Sequence, residues 1–438
     1  MGSTKTRSSN IELLRIMGMA MIIMYHIGCH CIINQLTDRG SMERMGNALF
    51  ISPGFSKKLL LLDGINTLGI IGNVVFILIS GYFMAGKGKN INLLDIAVKL
   101  LTQQGFAAIM LVVGSTLVYH LAGGIFIQMM SITTFNSMSW YVGYYFIIIL
   151  LAYCCLNDYL SRLNQKRYLS FVVTLFAITQ LSFSIGILEG LAGGLSTLCT
   201  GIFLYSLGGY IRKFNPLQNI KSIVFICVIA VVFGLVFWSN YNATMNNVEM
   251  FHLNNSTDIF IQSIIGYGNN SIVVILIGLS LFELFRRLNI PNSRVINYIG
   301  ASTLMTYLIH DNDFFYSIWN TKDWITLLYN NPIEFMLIIT KWTIATFVVG
   351  VMSYTAYVII ATLCCKHRSV FFKRNLSSEH INCNSSAGVT SSPRLIFTRC
   401  LCRASLFCLF AHPILLSLSI FRLVPPRANK QKNRRFFL

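Results

Sequence analysis

The chain divides into ten predominantly apolar runs before residue 366, separated by short polar connections. They cover 11–33, 64–85, 101–121, 140–156, 168–188, 191–211, 222–238, 259–285, 295–315 and 333–364. Each approaches the roughly 20 residues that an α-helix needs to cross about 30 Å of hydrocarbon. The pattern predicts an all-α, polytopic membrane bundle of about ten transmembrane helices.

The connections carry an orientation signal. With the N-terminus in the cytoplasm, alternate connections place 18 Lys and Arg on the inner side, from Lys5 to Arg374. The outer side receives 5: Arg39, Arg44, Lys57, Lys58 and Lys322. Cytoplasmic loops carry such an excess, so both termini are expected in the cytoplasm. The first run follows a short basic stretch, as a secretory signal would. Glu12 and Arg15 interrupt it, however, and no small-residue cleavage site follows His30, so it reads as a retained helix. No internal repeat of the kind that builds inverted-repeat transporters is visible.

Composition sharpens the picture. Of 438 residues, 55% are apolar and 11% are charged, against about 25% charged in a soluble domain. The net charge of +19 would suggest nucleic acid in a soluble protein, but its distribution argues otherwise. Residues 366–438 hold 13 Lys or Arg, four of the eight prolines and one acid, Glu379. The chain therefore reads as a membrane domain over 1–365 and a basic, Ser- and Cys-containing extension over 366–438. The extension's apolar piece is broken by Arg399, Arg403, His412 and Pro413, so it is expected to be disordered or interfacial rather than an eleventh span. The 12 cysteines include the pairs Cys29/Cys31, Cys154/Cys155 and Cys364/Cys365. None has a second pair at zinc-finger spacing, so they read as packing residues, with no metal and no disulfide framework expected.

Against so few charges, ionisable side chains inside a run stand out. The first run contains Glu12, Arg15 and His26. Eleven residues at 100° each fall within about 20° of three full turns, so Arg15 and His26 share a face, about 16 Å apart along the axis. Glu12, three residues before Arg15, shares it too. Two readings compete: a site at both ends of one cavity, or interfacial anchors with a quiet imidazole. The ninth run ends in Tyr307-Leu-Ile-His310-Asp311-Asn312-Asp313. Its His310 is expected at the depth of His26, about 22 Å from the inner boundary. Asp311 and Asn312 then lie at the outer mouth, or His310 to Asp313 simply cap the span.

These motifs together resemble the acyltransferase 3 family of integral membrane O-acyltransferases, over most of residues 10–360. The parts are "IELLRIMGMAMIIMYH", with Arg15 and His26; "NVVFILISGYFM", with Ser80 and Gly81; "MSWYVGYYFIIILLAYCCLN"; and "YLIHDND". Glu12 stands where the family carries Asp, and Lys87, Lys89 and Lys99 stand in place of an Arg-x-x-Arg. The resemblance implies transfer of an acyl group, usually acetyl from acetyl-CoA, to a hydroxyl of an envelope, capsular or exopolysaccharide glycan at the bacterial cytoplasmic membrane. It implies acyl-CoA, a glycan and the bilayer as partners, and no nucleic acid.

Imidazole suits removal of a hydroxyl proton near neutral pH, which makes His26 the expected base, with an acyl-imidazole as the alternative route. Arg15, oriented by Glu12, fits a CoA phosphate or carbonyl. Ser80, Gly81, Lys87 and Lys99 complete the expected cofactor-binding set. Trp140, Tyr141, His310, Asp311 and Asn312 form the expected acceptor-binding set. The rival function is a secondary transporter or a lipid-linked glycan flippase without acyl transfer.

Overall fold

The computed structural model describes residues 7–37, 54–66, 68–122, 127–131, 135, 139–181, 190, 194–254 and 271–379. Fifteen α-helical segments and no strand occur among them. In chain order these are α1 (Ser9–Ile27), α2 (Ile33–Thr37), α3 (Phe55–Asn66), α4 (Gly69–Met84) and α5 (Leu93–Leu121). Next come α6 (Trp140–Leu151), α7 (Asn157–Arg162), α8 (Gln165–Gln180), α9 (Leu195–Phe214) and α10 (Ser222–Asn254). The remainder are α11 (Ile272–Arg287), α12 (Arg294–His310), α13 (Asp313–Trp319), α14 (Trp324–Asn330) and α15 (Pro332–Glu379).

Six helices among the described residues are long and apolar enough to cross a membrane: Ser9–Gln35, Gly69–Gly88, Leu93–Leu121, Trp140–Arg162, Ser222–Ser239 and Pro332–Cys364. Four expected spans correspond to shorter or more polar helices. The run at 259–285 becomes a helix from Ile272, with 259–270 outside the described residues. The run at 295–315 stops at His310, where Asp311 leaves helical geometry and Asn312 is extended. α9 and α12 bury Ser196, Thr200, Ser206, Ser302, Thr303 and Thr306. Helices enclosed by other helices need no apolar face toward lipid, so these four fall short of the length and hydropathy that mark the other six. The backbone of α15 runs beyond residue 365 to Glu379, and residues 380–438 of the expected extension lie outside the described residues.

α1 is the hub. Its first half packs with α4, α6, α9 and α11 around one apolar cluster, and its second half with α3, α5 and α12 to α15 around another. α1 and α4 cross at Gly18 and Gly72, where a Cβ built on Gly72 would lie 2.6 Å from the Gly18 carbonyl oxygen. Small residues permit such approach between membrane helices. Gly81 serves the next crossing: a Cβ there would overlap the Tyr205 carbonyl of α9.

Polar contacts fix α1 parallel to α12. Ser9 Oγ donates to Asn297 Oδ1 at 3.0 Å and accepts from the Ser293 N–H at 2.8 Å. Asn10 Nδ2 donates to the Phe285 carbonyl at 2.9 Å, satisfying an orphan carbonyl at the end of α11. Beyond Ile27 the chain passes through a π turn, Gly28–Ile32, in which the Ile33 N–H reaches back to the Gly28 carbonyl. The extra residue re-aims the following side chains by about 100°.

Candidate functional site

A cavity of about 230 Å³ runs between α1, α4, α5, α6 and α12. On α1 it is lined by Arg15, Met19 and Ile22, the three- and four-residue steps of one helical face. Arg7, Arg15 and Lys99 supply its cations. Ser80, Asn73 and Tyr145 contribute polar groups, and Tyr141 and Tyr307 contribute hydroxyl-bearing rings.

Glu12 holds the cationic end together. Its carboxylate accepts from Arg15 Nη1 at 3.2 Å and pairs with Arg7 Nη1 at 3.3 Å, while its side chain is only 6% exposed. A carboxylate so buried needs such partners. α12 makes room for it with Gly300, where a Cβ would overlap the Glu12 carboxylate. Arg15 keeps 27% of its side chain exposed, so its remaining donors face the cavity.

One turn farther along the same two helices, two imidazoles meet. His26 Nδ1 lies 2.9 Å from His310 Nε2, with the rings stacked 4.9 Å apart at 13°. His310 is fully buried. Its Nδ1 lies 3.0 Å from the Thr306 carbonyl and 2.9 Å from the Tyr307 carbonyl. Carbonyls only accept, so His310 Nδ1 carries the hydrogen, and in the neutral ring Nε2 is then an acceptor. His26 Nδ1 must therefore donate to it, which leaves the lone pair of His26 on Nε2. Asp311 Oδ1, 3.7 Å from His26 Nδ1, places a carboxylate where an imidazolium would form.

The expected site residues are thus distributed. Arg15, Ser80, Lys99 and Tyr141 line the cavity, with Glu12 behind Arg15. His26, His310 and Asp311 cluster beyond it. Gly81 lies at a helix crossing, and exposed Lys87 lies outside the lining. Trp140 is 45% exposed and lines a separate cleft with Leu101 and Gln104. Asn312 is fully buried and caps α13, accepting from the Phe315 N–H at 3.1 Å and donating to the Ile309 carbonyl.

Five neighbours of these groups stood outside the expected site. His30 packs edge-on to His26, centroids 5.4 Å apart, and stacks on Tyr316 at 4.4 Å. Its signal was present, since it follows His26 by four residues. Tyr316 donates to Asp311 Oδ1. Tyr307 accepts from the Tyr141 N–H at 3.3 Å and lies edge-on to the Tyr141 ring, joining α12 to α6. Arg7 served in the sequence only as a topology marker. Cys31 is buried, its thiol 3.8 Å from the Tyr316 carbonyl.

A family model described as an acyltransferase domain matches residues 8–365. The chain belongs to the acyltransferase 3 family. It is a multi-pass membrane acyltransferase. No curated protein and no solved structure matches it. Within the matched region lie both the cationic cavity of this acyltransferase and the paired imidazoles beyond it.

Proposed function

We propose that this acyltransferase moves an acetyl group from acetyl-CoA to a hydroxyl of an envelope or capsular glycan at the bacterial cytoplasmic membrane. In this reading the chain crosses ten times and both termini are cytoplasmic. The observation that carries the proposal is the His26–His310 pair, one turn beyond a cavity whose opposite end is cationic.

Each part has a chemical role. Arg7, Arg15 and Lys99 receive the phosphates of the donor. About 16 Å of α1 separates Arg15 from His26, comparable to an extended pantetheine arm, so the thioester reaches the imidazoles while the nucleotide stays at the cationic end. The Tyr141 hydroxyl is buried and has no hydrogen-bond partner among the described residues, which leaves it as a donor for the thioester carbonyl or the acceptor sugar.

His26 Nε2 removes the proton of the glycan hydroxyl. The oxygen attacks the thioester carbonyl carbon, the C–S bond breaks, and the leaving CoA thiolate receives that proton from His26. The hydrogen bond to His310 keeps Nδ1 protonated through the cycle, and Asp311 offsets the positive charge on His26. No metal enters these steps.

Release of free CoA from acetyl-CoA by the purified chain, dependent on added glycan, tests the reading. Comparison of O-acetyl signals in surface polysaccharide with and without the gene identifies the acceptor. Glycan-independent hydrolysis, or no CoA release from a correctly folded chain, would overturn it.

A further inference from the structure

His30 takes no part in the steps above, yet it is held against them. One metal-competent atom from each of His26, His30 and Asp311 lies within 4.8 Å of the others, and His26 Nδ1 is 3.7 Å from Asp311 Oδ1. A single residue orients two of the three: the Tyr316 hydroxyl donates to Asp311 Oδ1, and its ring stacks on His30 at 16°. Metal ligands are commonly fixed by such outer contacts. His26 and Asp311 each keep 14% of the side chain exposed, so the cluster is neither sealed nor bathed in solvent.

Two imidazoles and one carboxylate suit Zn²⁺ and exclude a preference for Mg²⁺ or Ca²⁺, which favour oxygen. Tetrahedral zinc, with bonds of about 2.0–2.2 Å, spaces its ligand atoms about 3.4 Å apart. Side-chain rotations of about 1 Å contract the trio to that spacing.

We propose that His26, His30 and Asp311 form an inhibitory site for Zn²⁺. The inhibition rests on the proposed role of His26 as base. A neutral imidazole has one basic nitrogen. If zinc takes Nε2, the lone pair is consumed. If it takes Nδ1, the hydrogen moves to Nε2 and the bond to His310 is lost. In both cases His26 has no lone pair for the glycan hydroxyl, so zinc occupancy and transfer exclude each other.

The test uses the full chain, purified in detergent with a histidine-free tag. Co²⁺ is the spectroscopic probe and Zn²⁺ the inhibitor. The expected result is one equivalent of Co²⁺ with a visible tetrahedral absorption band, bleached by Zn²⁺, and zinc inhibition of glycan-dependent CoA release. His30→Gln should retain basal transfer, lose the band and raise the inhibitory zinc concentration at least about tenfold. Asp311→Asn should also lose the band, guarding against a His30 variant that does not fold. An unchanged band, or unchanged zinc inhibition, in a monodisperse His30→Gln chain overturns the proposal. A chain that transfers no acetyl group but shows a His30-dependent band refutes the catalytic reading while supporting the metal site.

Discussion

His26 and His310 are 284 positions apart in sequence, yet their ring nitrogens lie 2.9 Å apart and their planes differ by 13°. The contact exists because α1 and α12 run parallel from the Ser9–Asn297 contact and are of similar length. It gives the two imidazoles different duties, since only His310 has its Nδ1 engaged by main-chain carbonyls.

His26→Ala is therefore expected to lower glycan-dependent CoA release by at least about 10²-fold, the usual contribution of a general base. His310→Gln is expected to lower kcat about tenfold while leaving the KM for acetyl-CoA unchanged, because it acts through His26. Steady-state kinetics on chains matched for detergent elution profile check both. Equal activity of wild type and His26→Ala removes the base assignment.

At the other end of α1, Arg15→Gln should raise the KM for acetyl-CoA about 10- to 100-fold, the range for losing a hydrogen bond between charged groups. The change in kcat should stay within a few-fold. A kcat collapse at constant KM would move Arg15 from donor binding to the reacting carbonyl.

Tyr141→Phe separates function from stability. Its hydroxyl has no hydrogen-bond partner among the described residues, so removal should leave the thermal midpoint equal or slightly raised. Transfer should fall. Reduced stability with full activity would reassign Tyr141 to packing.

The placement of Arg15, His26 and His310 along their helices was legible in the sequence, and the groups packed around them were not. The eleven-residue step from Arg15 to His26 follows from helix geometry, so the common face could be read directly. The depth of His310 followed from counting residues along α12. His30 sits at the end of the first run, where a histidine reads as bland, so its four-residue step from His26 was passed over. Gly81 looked like part of a binding motif because a glycine that admits a ligand and one that admits a helix are identical in sequence. Its occupant is Tyr205 of α9, which only the folded chain reveals. Asn312 was ambiguous for a similar reason, since an amide suits a sugar and a helix cap equally well.

Gly72→Leu should prevent the α1–α4 approach at Gly18. Overpacking of this kind costs about 1–3 kcal/mol, and here one obstacle is backbone that no rotamer change relieves. The measurable result is a lowered thermal midpoint and loss of activity in parallel. Gly86→Ala, where nothing lies within 4 Å of a built Cβ, should change neither.

Removal of residues 380–438 leaves α15 and the whole family match intact. Full transfer by the shortened chain is expected, measured against the complete chain at equal membrane content. Complete loss in a correctly inserted chain would assign the segment a role in transfer.

The unbroken helical course of α1 from Arg15 to His26 makes residue count a functional quantity. One residue inserted anywhere between them would swing His26 about 100° away from the Arg15 face and lengthen the gap by about 1.5 Å. Exchanging Met17, Met21 or Met24 for another apolar residue would leave both values untouched. The segment works as a molecular ruler, whose graduations matter more than the material between them, and a donor with a shorter arm would bring its carbonyl to the wrong mark.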